Sequence, residues 1–443
     1  MSRRLVAGSL VQPAWEAHGV RVEGPDEDAF TLAVDAIERL GLAPADLAGL
    51  ERIDLVGDFA HDVDWAIPEA VGTEGAEVAR HHGGLSSLFQ ALSGASLFRP
   101  DSSQSSLVVA VDVAATAAAP SVPQAAAAAV AFQFADAPGA QVIGYTSRNH
   151  PPERRPDASA WVRQSHKAAP DVATADRGLL GVIAEAPPPV LLNEWKSAFP
   201  SIPPVVRPWE LSEWGSLPTV RGAIAIHEHV AAAGPNEAVF VAAIRRERTD
   251  FLALRAGAAV RWVGEWSDRG RSAPAPNDQP FAPSVETHAV SEGAYVPRPR
   301  YVENLPSRWR FVSERCDACG RTTFPIRGYC RYCRETGRLR RVELPKADVE
   351  VEAVTTVAPG AQPTEFDFQV SATGSYSVAL VRLAAGVRAT LQISGPATES
   401  VRVGDRLDTR LRRLYPMEGA WRYGRKAVVP GARAGGIPST SSG

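Results

Sequence analysis

The chain has 443 residues, of which 45% are hydrophobic, and a formal net charge of −3. This length and apolar fraction suffice for about three globular domains and exclude a disordered or fibrous protein. The sequence has no run of 18 uninterrupted apolar residues, because Asp112, Pro120 and Pro123 interrupt the Ala-rich segment 110–131, and it begins without the apolar core of a signal peptide. We therefore expect a cytoplasmic protein that does not enter the membrane.

Short runs of Val, Ile and Leu alternate with Ala-rich stretches over residues 1–265, and this alternation is typical of a layered α/β domain. Residues 25–41 predict a helix, because Phe30, Val34 and Ile37 recur at helical spacing, acidic residues fill the first turn, and Gly41 provides a stop. Further runs predict strands at 53–57, 107–112 and 238–241 and a helix at 222–233.

The composition changes twice after residue 265. Residues 266–300 are rich in Pro, Ser, Asn, Asp and Gly, which predicts a linker, whereas residues 346–430 alternate β-branched and polar residues, which predicts a small all-β domain. Between them lies a cysteine-rich segment at 301–345, and the Gly- and Ser-rich tail 431–443 is expected to be disordered.

The four cysteines of the chain form two Cys-x-x-Cys pairs, Cys316 with Cys319 and Cys330 with Cys333. The ten residues between the pairs allow a short hairpin to bring four thiolates together, which suits tetrahedral Zn²⁺ and leaves no coordination position open. We therefore expect a structural zinc ribbon. A redox dithiol would need only one pair, and an iron–sulfur site usually has different spacing.

The same segment is strongly basic. Residues 308–341 contain ten arginines and three acidic residues, a local charge of +7, so the rest of the chain has a charge of −10. The arginines can form a solvated face, or they can bind a phosphate-bearing small molecule or an acidic protein partner. Nucleic-acid binding is a weaker interpretation, since few aromatic residues accompany the arginines.

The ribbon and the β segment together resemble a known family. The matching residues are the stretches 316–320, Phe324-Pro325 and 327–333, followed by 378–383 and 386–388. Over residues 301–430 they resemble the zinc-ribbon/OB-fold family associated with acyl-CoA. The resemblance implies that this region accompanies a thiolase-fold enzyme and helps to hold the CoA part of its substrate, with Arg321, Arg327 and Arg331 as candidate phosphate contacts.

Residues 1–260 resemble the thiolase superfamily in its hydroxymethylglutaryl-CoA synthase and type III ketoacyl synthase branches. The matching features are, in order, the 28–41 helix, the strand ending at Val56-Gly57, Gly83-Gly84 opening a helix, the strand 107–112, and the stretch 215–235 followed by 239–254. The expected fold class is thus an α/β thiolase-like layered domain followed by a zinc ribbon and a small all-β OB-fold barrel.

The thiolase resemblance implies a nucleophilic cysteine at a helix N-terminus, two residues before a Gly-Gly pair. That position is His81, near a predicted helix start, and no cysteine precedes Cys316. The asparagine expected after a later glycine is Ser216. We therefore expect no catalytic residue here, with His81 and Ser216 as degenerate positions, although His81 and His82 are residue types that can act as general bases.

The favoured hypothesis is a non-catalytic or accessory subunit of an acyl-CoA-processing complex, with a thiolase-fold enzyme as partner, structural Zn²⁺, and CoA or acyl-CoA as ligand. The chain can pair with itself as a homodimer or replace one half of a heteromer. One alternative is a cysteine-independent thiolase-fold enzyme that makes or breaks a C–C bond in an acyl-CoA. Another is a nucleic-acid or regulatory module built on the ribbon.

Overall fold

The computed structural model describes the chain in segments and divides it into two compact units. The first unit comprises Met1–Gln12, Ala36–Pro68 and Thr73–Glu265, and the second comprises Pro13–Asp35, Glu69–Gly72 and Trp266–Gly443. The described residues are 3–17, 20–59, 63–73, 75–97, 104–113, 126–149, 178–184, 204–208, 217, 219–244, 248–257, 260–264, 273–274, 296–384, 386–396, 398–417 and 420–430.

The strands, in chain order, are β1 (Arg4–Val11), β2 (Trp15–Ala17), β3 (Val20–Val22), β4 (Leu50–Val56), β5 (Glu77–His81), β6 (Ser105–Asp112), β7 (Ala128–Ala135), β8 (Ala140–Asn149), β9 (Gly178–Ala184), β10 (Pro204–Pro208), β11 (Ala238–Ile244), β12 (Arg248–Arg255), β13 (Arg261–Val263), β14 (Ala273–Pro274), β15 (Val312–Cys316), β16 (Thr322–Thr323), β17 (Leu339–Glu343), β18 (Val349–Val357), β19 (Tyr376–Ala384), β20 (Val387–Ser394), β21 (Arg406–Met417) and β22 (Ala420–Val428). The helices are α1 (Ala29–Arg39), α2 (Pro44–Ala48), α3 (Val63–Val71), α4 (Leu85–Leu97), α5 (Val220–Ala232), α6 (Arg298–Glu303), α7 (Leu305–Arg310) and α8 (Asp367–Thr373). No described helix has both the length and the apolar character needed to span a membrane.

The first unit is built on one mixed sheet with the strand order β10-β9-β11-β12-β8-β1-β7-β6-β4-β5, and β13 pairs with β1. Strand β6 is buried along its whole length, which requires cover on both of its faces. Helices α4 and α5 both pack against β6. The predicted layered α/β arrangement, the strand at 107–112 and the helix at 222–233 are therefore confirmed.

The start of helix α1 differs from the prediction in the position of its acidic residues. Its Asp28 carboxylate accepts a hydrogen bond from the Thr31 N–H (2.9 Å), and the Thr31 hydroxyl accepts one from the Asp28 N–H (2.9 Å). This reciprocal cap starts the helix at Ala29, so the acidic residues precede the first turn instead of filling it. Gly41, with φ of 63°, follows the helix as predicted.

The second unit contains the cysteine-rich segment and a closed barrel. Strands β16, β15 and β17 form an antiparallel sheet in that order, and the barrel order is β18-β19-β20-β22-β21, with β21 pairing back to β18. The β20–β22 pair is parallel, whereas the other barrel pairs are antiparallel. Closure of five strands in this Greek-key order is the OB-fold architecture, as predicted, and leaves no free sheet edge.

The ribbon sheet and the barrel share a core. Phe311, directly before β15, and Leu344, directly after β17, are buried in the cluster that fills the barrel. The Leu344 N–H also donates a hydrogen bond to the Phe311 carbonyl (3.2 Å). The boundary predicted at residue 345 therefore lies inside one compact unit.

Residues 13–35 belong to the second unit, although the sequence predicts one continuous domain over 1–265. The physical reason is charge pairing. Arg412 in β21 forms ion pairs with Glu27 (2.8 Å) and Asp35 (2.7 Å), and Lys426 in β22 forms one with Asp26 (3.0 Å). All of these side chains are buried, so the carboxylates neutralise cations that the barrel would otherwise bury unpaired.

Of the predicted linker 266–300, the structure describes residues 273–274, which form β14, and 296–300, in which α6 begins at Arg298. Strand β14 pairs with β2 in a small sheet of the second unit, in the order β14-β2-β3. The predicted tail 431–443 lies outside the described residues.

Candidate metal centre and basic ribbon face

The four cysteines meet at one point in the second unit. The Sγ atoms of Cys316 and Cys333 are 3.6 Å apart, as are those of Cys319 and Cys330, and all four lie within 4.8 Å of one another. Four sulfurs at 2.3 Å from a tetrahedral zinc ion would be about 3.8 Å apart. The cluster can therefore hold a metal ion, and its dimensions and all-thiolate donors fit Zn²⁺.

The first pair lies in a tight turn that ends strand β15. The Gly320 N–H donates to the Cys316 carbonyl (2.8 Å), and the Cys316 N–H donates to the Arg321 carbonyl (2.9 Å). Gly320 has φ of 71°, a left-handed conformation that favours glycine. This turn places Cys316 and Cys319 on the same side of the loop.

The second pair repeats this turn 14 residues later. The Arg334 N–H donates to the Cys330 carbonyl (2.9 Å), and the Cys330 N–H donates to the Glu335 carbonyl (2.8 Å). Arg334 takes the place of the glycine and adopts φ of 65°. The approach to this turn is fixed by Glu314, whose buried carboxylate accepts hydrogen bonds from the N–H groups of Arg327 (2.9 Å) and Gly328 (3.0 Å).

The electrostatics of the cluster favour a bound cation. The N–H groups of Cys333 and Tyr332 lower the pKa of the Cys330 thiol to about 6. The N–H of Glu335 also favours the Cys333 thiolate, but burial and the three neighbouring thiols raise the pKa of Cys333 to about 12. Four negative charges therefore do not form together without a cation, and metal binding would release protons.

The ribbon surface brings two of the predicted arginines together. The guanidinium carbons of Arg321 and Arg331 lie 4.8 Å and 5.0 Å from the centre of the Tyr332 ring, which is 39% exposed. Cation–π contact of this kind holds both guanidinium groups near one ring while their N–H groups stay accessible. Arg327 is also exposed, but its position is fixed by a hydrogen bond from its backbone N–H to the Glu314 carboxylate.

The position at which the resemblance implies a nucleophile is His81, the last residue of strand β5, shortly before helix α4 begins at Leu85. Its Nε2 lies 2.7 Å from Oδ1 of the buried Asp54. Asp54 also accepts two 2.8 Å hydrogen bonds from Arg52. Burial raises the pKa of Asp54, but hydrogen bonds from His81 and Arg52 outweigh burial and lower it. His81 is thus half-buried in an ion-pair cluster.

His82 lies in the turn between β5 and α4 and is exposed, so the two histidines do not share an environment. Gly83 and Gly84 do precede a helix, as predicted, since α4 begins at Leu85. Ser216 lies outside the described residues.

Sequence reasoning missed a buried polar contact beside the start of α4. The Asp112 carboxylate accepts hydrogen bonds from the N–H groups of Thr219 (2.9 Å) and Val220 (2.7 Å) at the start of α5, and the Thr219 hydroxyl accepts one from the Gly84 N–H (2.7 Å). Burial raises the pKa of Asp112 to about 6. The first N–H groups of α5, which could otherwise bind an anion, are therefore used by the chain itself. An acidic residue at the end of an apolar strand, as Asp112 is, was the feature of the sequence that could have indicated this contact.

These contacts lead to a prediction about covalent chemistry. The isolated chain is expected to form no acyl-enzyme with short acyl-CoA substrates, because position 81 is a histidine hydrogen-bonded to Asp54 and every cysteine lies in the cluster. Intact-protein mass spectrometry after incubation with acetyl-CoA should show no stable acyl increment. An adduct located in the 81–87 peptide would contradict this expectation.

No family model matches the chain. It is similar to two solved structures, 3-oxoacyl-[acyl-carrier-protein] synthase III from Aquifex aeolicus (12% identity, 57% of this chain and 99% of that one, TM-score 0.42) and PksG, an HMG-CoA synthase from Bacillus subtilis (14% identity, 61% of this chain and 87% of that one, TM-score 0.44).

Two curated relatives match the C-terminal region over 112 residues each, which is 25% of this chain, at 30% identity. Both are called DUF35 domain-containing scaffold protein, one from Methanothermobacter thermautotrophicus and one from Methanocaldococcus jannaschii, and the match covers 78% and 74% of their lengths. On this similarity, the chain belongs to the DUF35 domain-containing proteins.

Proposed function

We propose that this protein is an accessory subunit of an acyl-CoA-processing complex, in which the ribbon and barrel help to hold CoA-linked substrate for a thiolase-fold partner. The observation that supports this function most directly is the pair Arg321 and Arg331 on the exposed Tyr332 ring. CoA contains a 3′-phosphate and a pyrophosphate, and arginine binds phosphate oxygens through charge-assisted, partly bidentate hydrogen bonds. The name of the two curated relatives, which describes them as scaffold proteins, agrees with an accessory role.

We also propose that the metal is zinc and that its role is structural. Four cysteines complete a tetrahedral coordination sphere, so no position remains for water or substrate. When bound, the ion would cross-link the two turns and fix the loops on which Arg321 and Arg331 lie.

The cysteine-independent enzyme has less support. It needs an acid/base pair aimed at a substrate. His81 is instead engaged by the buried Asp54, and His82 is exposed.

Strand β5 offers a place for a partner subunit. It forms one end of the sheet order in the first unit, so among the described residues one of its edges has no neighbouring strand. Such an edge can pair with a strand of another chain. We propose that this edge takes part in a homodimer or in a heteromer with the thiolase-fold partner.

The CoA-holding role predicts a kinetic effect. Reversing two charges with Arg321→Glu and Arg331→Glu is expected to raise the KM of the copurified partner for acyl-CoA about tenfold, because repulsion replaces two phosphate contacts. The kcat should stay within about twofold, since neither arginine belongs to a reacting site. Steady-state kinetics of the native complex, with its subunits identified by mass spectrometry, would measure both values.

A matched control is the double change Arg298→Glu and Arg300→Glu, which alters the charge equally at two exposed positions of helix α6. The control complex should keep the wild-type KM. If the ribbon variant also keeps it, the CoA-holding role is wrong and plain scaffolding remains. A general electrostatic effect would instead raise KM equally in both variants.

A further inference from the structure

The ribbon sheet has an edge without a partner strand. Strand β17 pairs with β15 on one side, and among the described residues no strand lies along its other side. The pairing with β15 is antiparallel and runs from residue 339 to residue 343 without a bulge. Bulges and prolines are common devices that keep an open edge from pairing with another chain. Because β17 contains neither, its edge can still accept a further strand.

The register identifies the backbone groups that point outward from this edge. The Asp317 N–H donates to the Arg338 carbonyl (3.0 Å), and the Leu344 N–H donates to the Phe311 carbonyl (3.2 Å). In an antiparallel ladder, residues that bond to the neighbouring strand alternate with residues whose N–H and carbonyl groups point away from it. Every second residue from 338 to 344 therefore bonds to β15, and the backbone groups of 339, 341 and 343 point away from it.

Arginines flank this edge on both faces of the sheet. Arg340 and Arg341 are adjacent in β17, so their side chains lie on opposite faces, and both are exposed. Arg340 lies directly opposite the exposed Arg315 of β15, and like charges in such a pair repel each other. The ion pair of Arg340 with Asp317 is long, at 4.0 Å, and 62% of the Arg340 side chain is exposed. The edge therefore presents positive charge that the ribbon itself neutralises only weakly.

We propose that the outer edge of β17 binds an extended acidic segment of a partner protein as an added strand. The outward backbone groups select an extended chain. Two consecutive acidic residues of that chain would lie on opposite faces, one near Arg340 and one near Arg341. A second copy of this protein suits the edge less well, because each basic segment 308–341 has a charge of +7. The site uses neither Arg321 nor Arg331, so it does not depend on the acyl-CoA function proposed above.

The probe is a fluorescent six-residue peptide, blocked at both ends, with two adjacent glutamates flanked by valine and threonine. Fluorescence anisotropy with the full-length protein at low ionic strength should give a Kd below about 0.1 mM. Hydrogen exchange should show that the bound peptide protects amides in 338–344. Changing Arg340→Gln and Arg341→Gln together should weaken binding at least about tenfold, because both charge contacts are lost.

A second pair of variants tests the backbone contacts. Leu339→Pro removes one outward N–H and leaves both arginines in place, so it should weaken binding about threefold to tenfold. The matched control is Leu339→Ala, which also lacks the leucine side chain but keeps the N–H, and it should bind like the wild type. Since Leu339 pairs with Cys316, the metal content of both variants would show whether the cysteine cluster is intact.

Two peptide controls test the proposal on the wild-type protein. N-methylation of both glutamates keeps their charges but removes whichever of their N–H groups faces the edge, and it should weaken binding at least about threefold. A peptide with glutamines in place of the glutamates should also bind more weakly. The proposal is overturned if the N-methylated peptide binds as tightly as the parent, if the wild type does not bind the parent at millimolar concentration, or if a uridine oligonucleotide binds this edge more tightly than the peptide.

Discussion

Replacing Cys330 with serine is expected to reduce the metal content from about one Zn²⁺ per chain to close to none. The buried Cys330 Sγ lies 3.6 Å from that of Cys319, so its loss leaves three thiolates where tetrahedral coordination needs four. Structural zinc supplies about 10–16 kcal/mol of apparent binding free energy in small zinc domains. Without it, the turns around the cysteines should unfold locally.

Metal analysis of freshly purified protein measures the content, and hydrogen exchange of peptides from 312–343 measures the local unfolding. Asp317→Asn is a control in the same turn, because Asp317 is exposed and is not one of the four ligands. It should retain zinc. Iron with sulfide in the wild type, or no metal at all, would contradict the zinc assignment.

Replacing Arg412 with methionine is expected to destabilise the second unit by about 3–5 kcal/mol. Arg412 is buried and pairs with Glu27 at 2.8 Å and Asp35 at 2.7 Å, so its removal leaves two buried carboxylates without their cation. Removing one partner of a buried pair has this typical magnitude. Urea titration followed by hydrogen exchange of barrel peptides would report the free energy of unfolding of this unit.

The destabilisation caused by Arg412→Met should increase with pH. Burial raises the pKa of Glu27 to about 7 even though Arg412 opposes the shift. A carboxyl whose folded pKa is raised contributes stability below its unfolded pKa, and that contribution is lost as pH rises through the folded pKa. Removing Arg412 raises the Glu27 pKa further, so the deficit relative to the wild type should be larger at pH 8 than at pH 5.5.

Arg406→Met is the matched control on the same strand. Arg406 is 44% exposed and pairs with Glu350 at 3.3 Å, and exposed pairs contribute about 0–1 kcal/mol. If the two variants destabilise the unit equally, or if the Arg412→Met deficit does not change with pH, the buried ion pairs do not hold the N-terminal segment to the barrel as we infer.

The features that could be predicted are those with local signals. Strand β6 contains the apolar run 107–111, and the two cysteine pairs define the metal cluster by spacing alone. The barrel strands alternate buried and exposed residues, as β20 shows, and that period-2 pattern is visible in the sequence. In each case the residues that determine the feature lie close together in the sequence.

The features that could not be predicted depend on distant partners. Nothing in the local pattern around Asp26 or Glu27 indicates that these carboxylates pair with cations in β21 and β22. Likewise, the sequence gives the residue type at position 81 but not its contact with Asp54, which arises because β5 lies parallel to β4 in the sheet. The assignment of residues 13–35 to the second unit follows from such long-range contacts.

The discontinuous second unit has a consequence for how the protein is made. Arg412 and its partner Asp35 are 377 residues apart in sequence, so at about 5–20 residues per second a ribosome needs roughly 20–80 seconds between them. During that interval the carboxylates of the N-terminal segment have no cations to pair with, and the unit cannot close until β21 and β22 emerge. Nascent chains should therefore fold this unit only after β21 and β22 have left the ribosome.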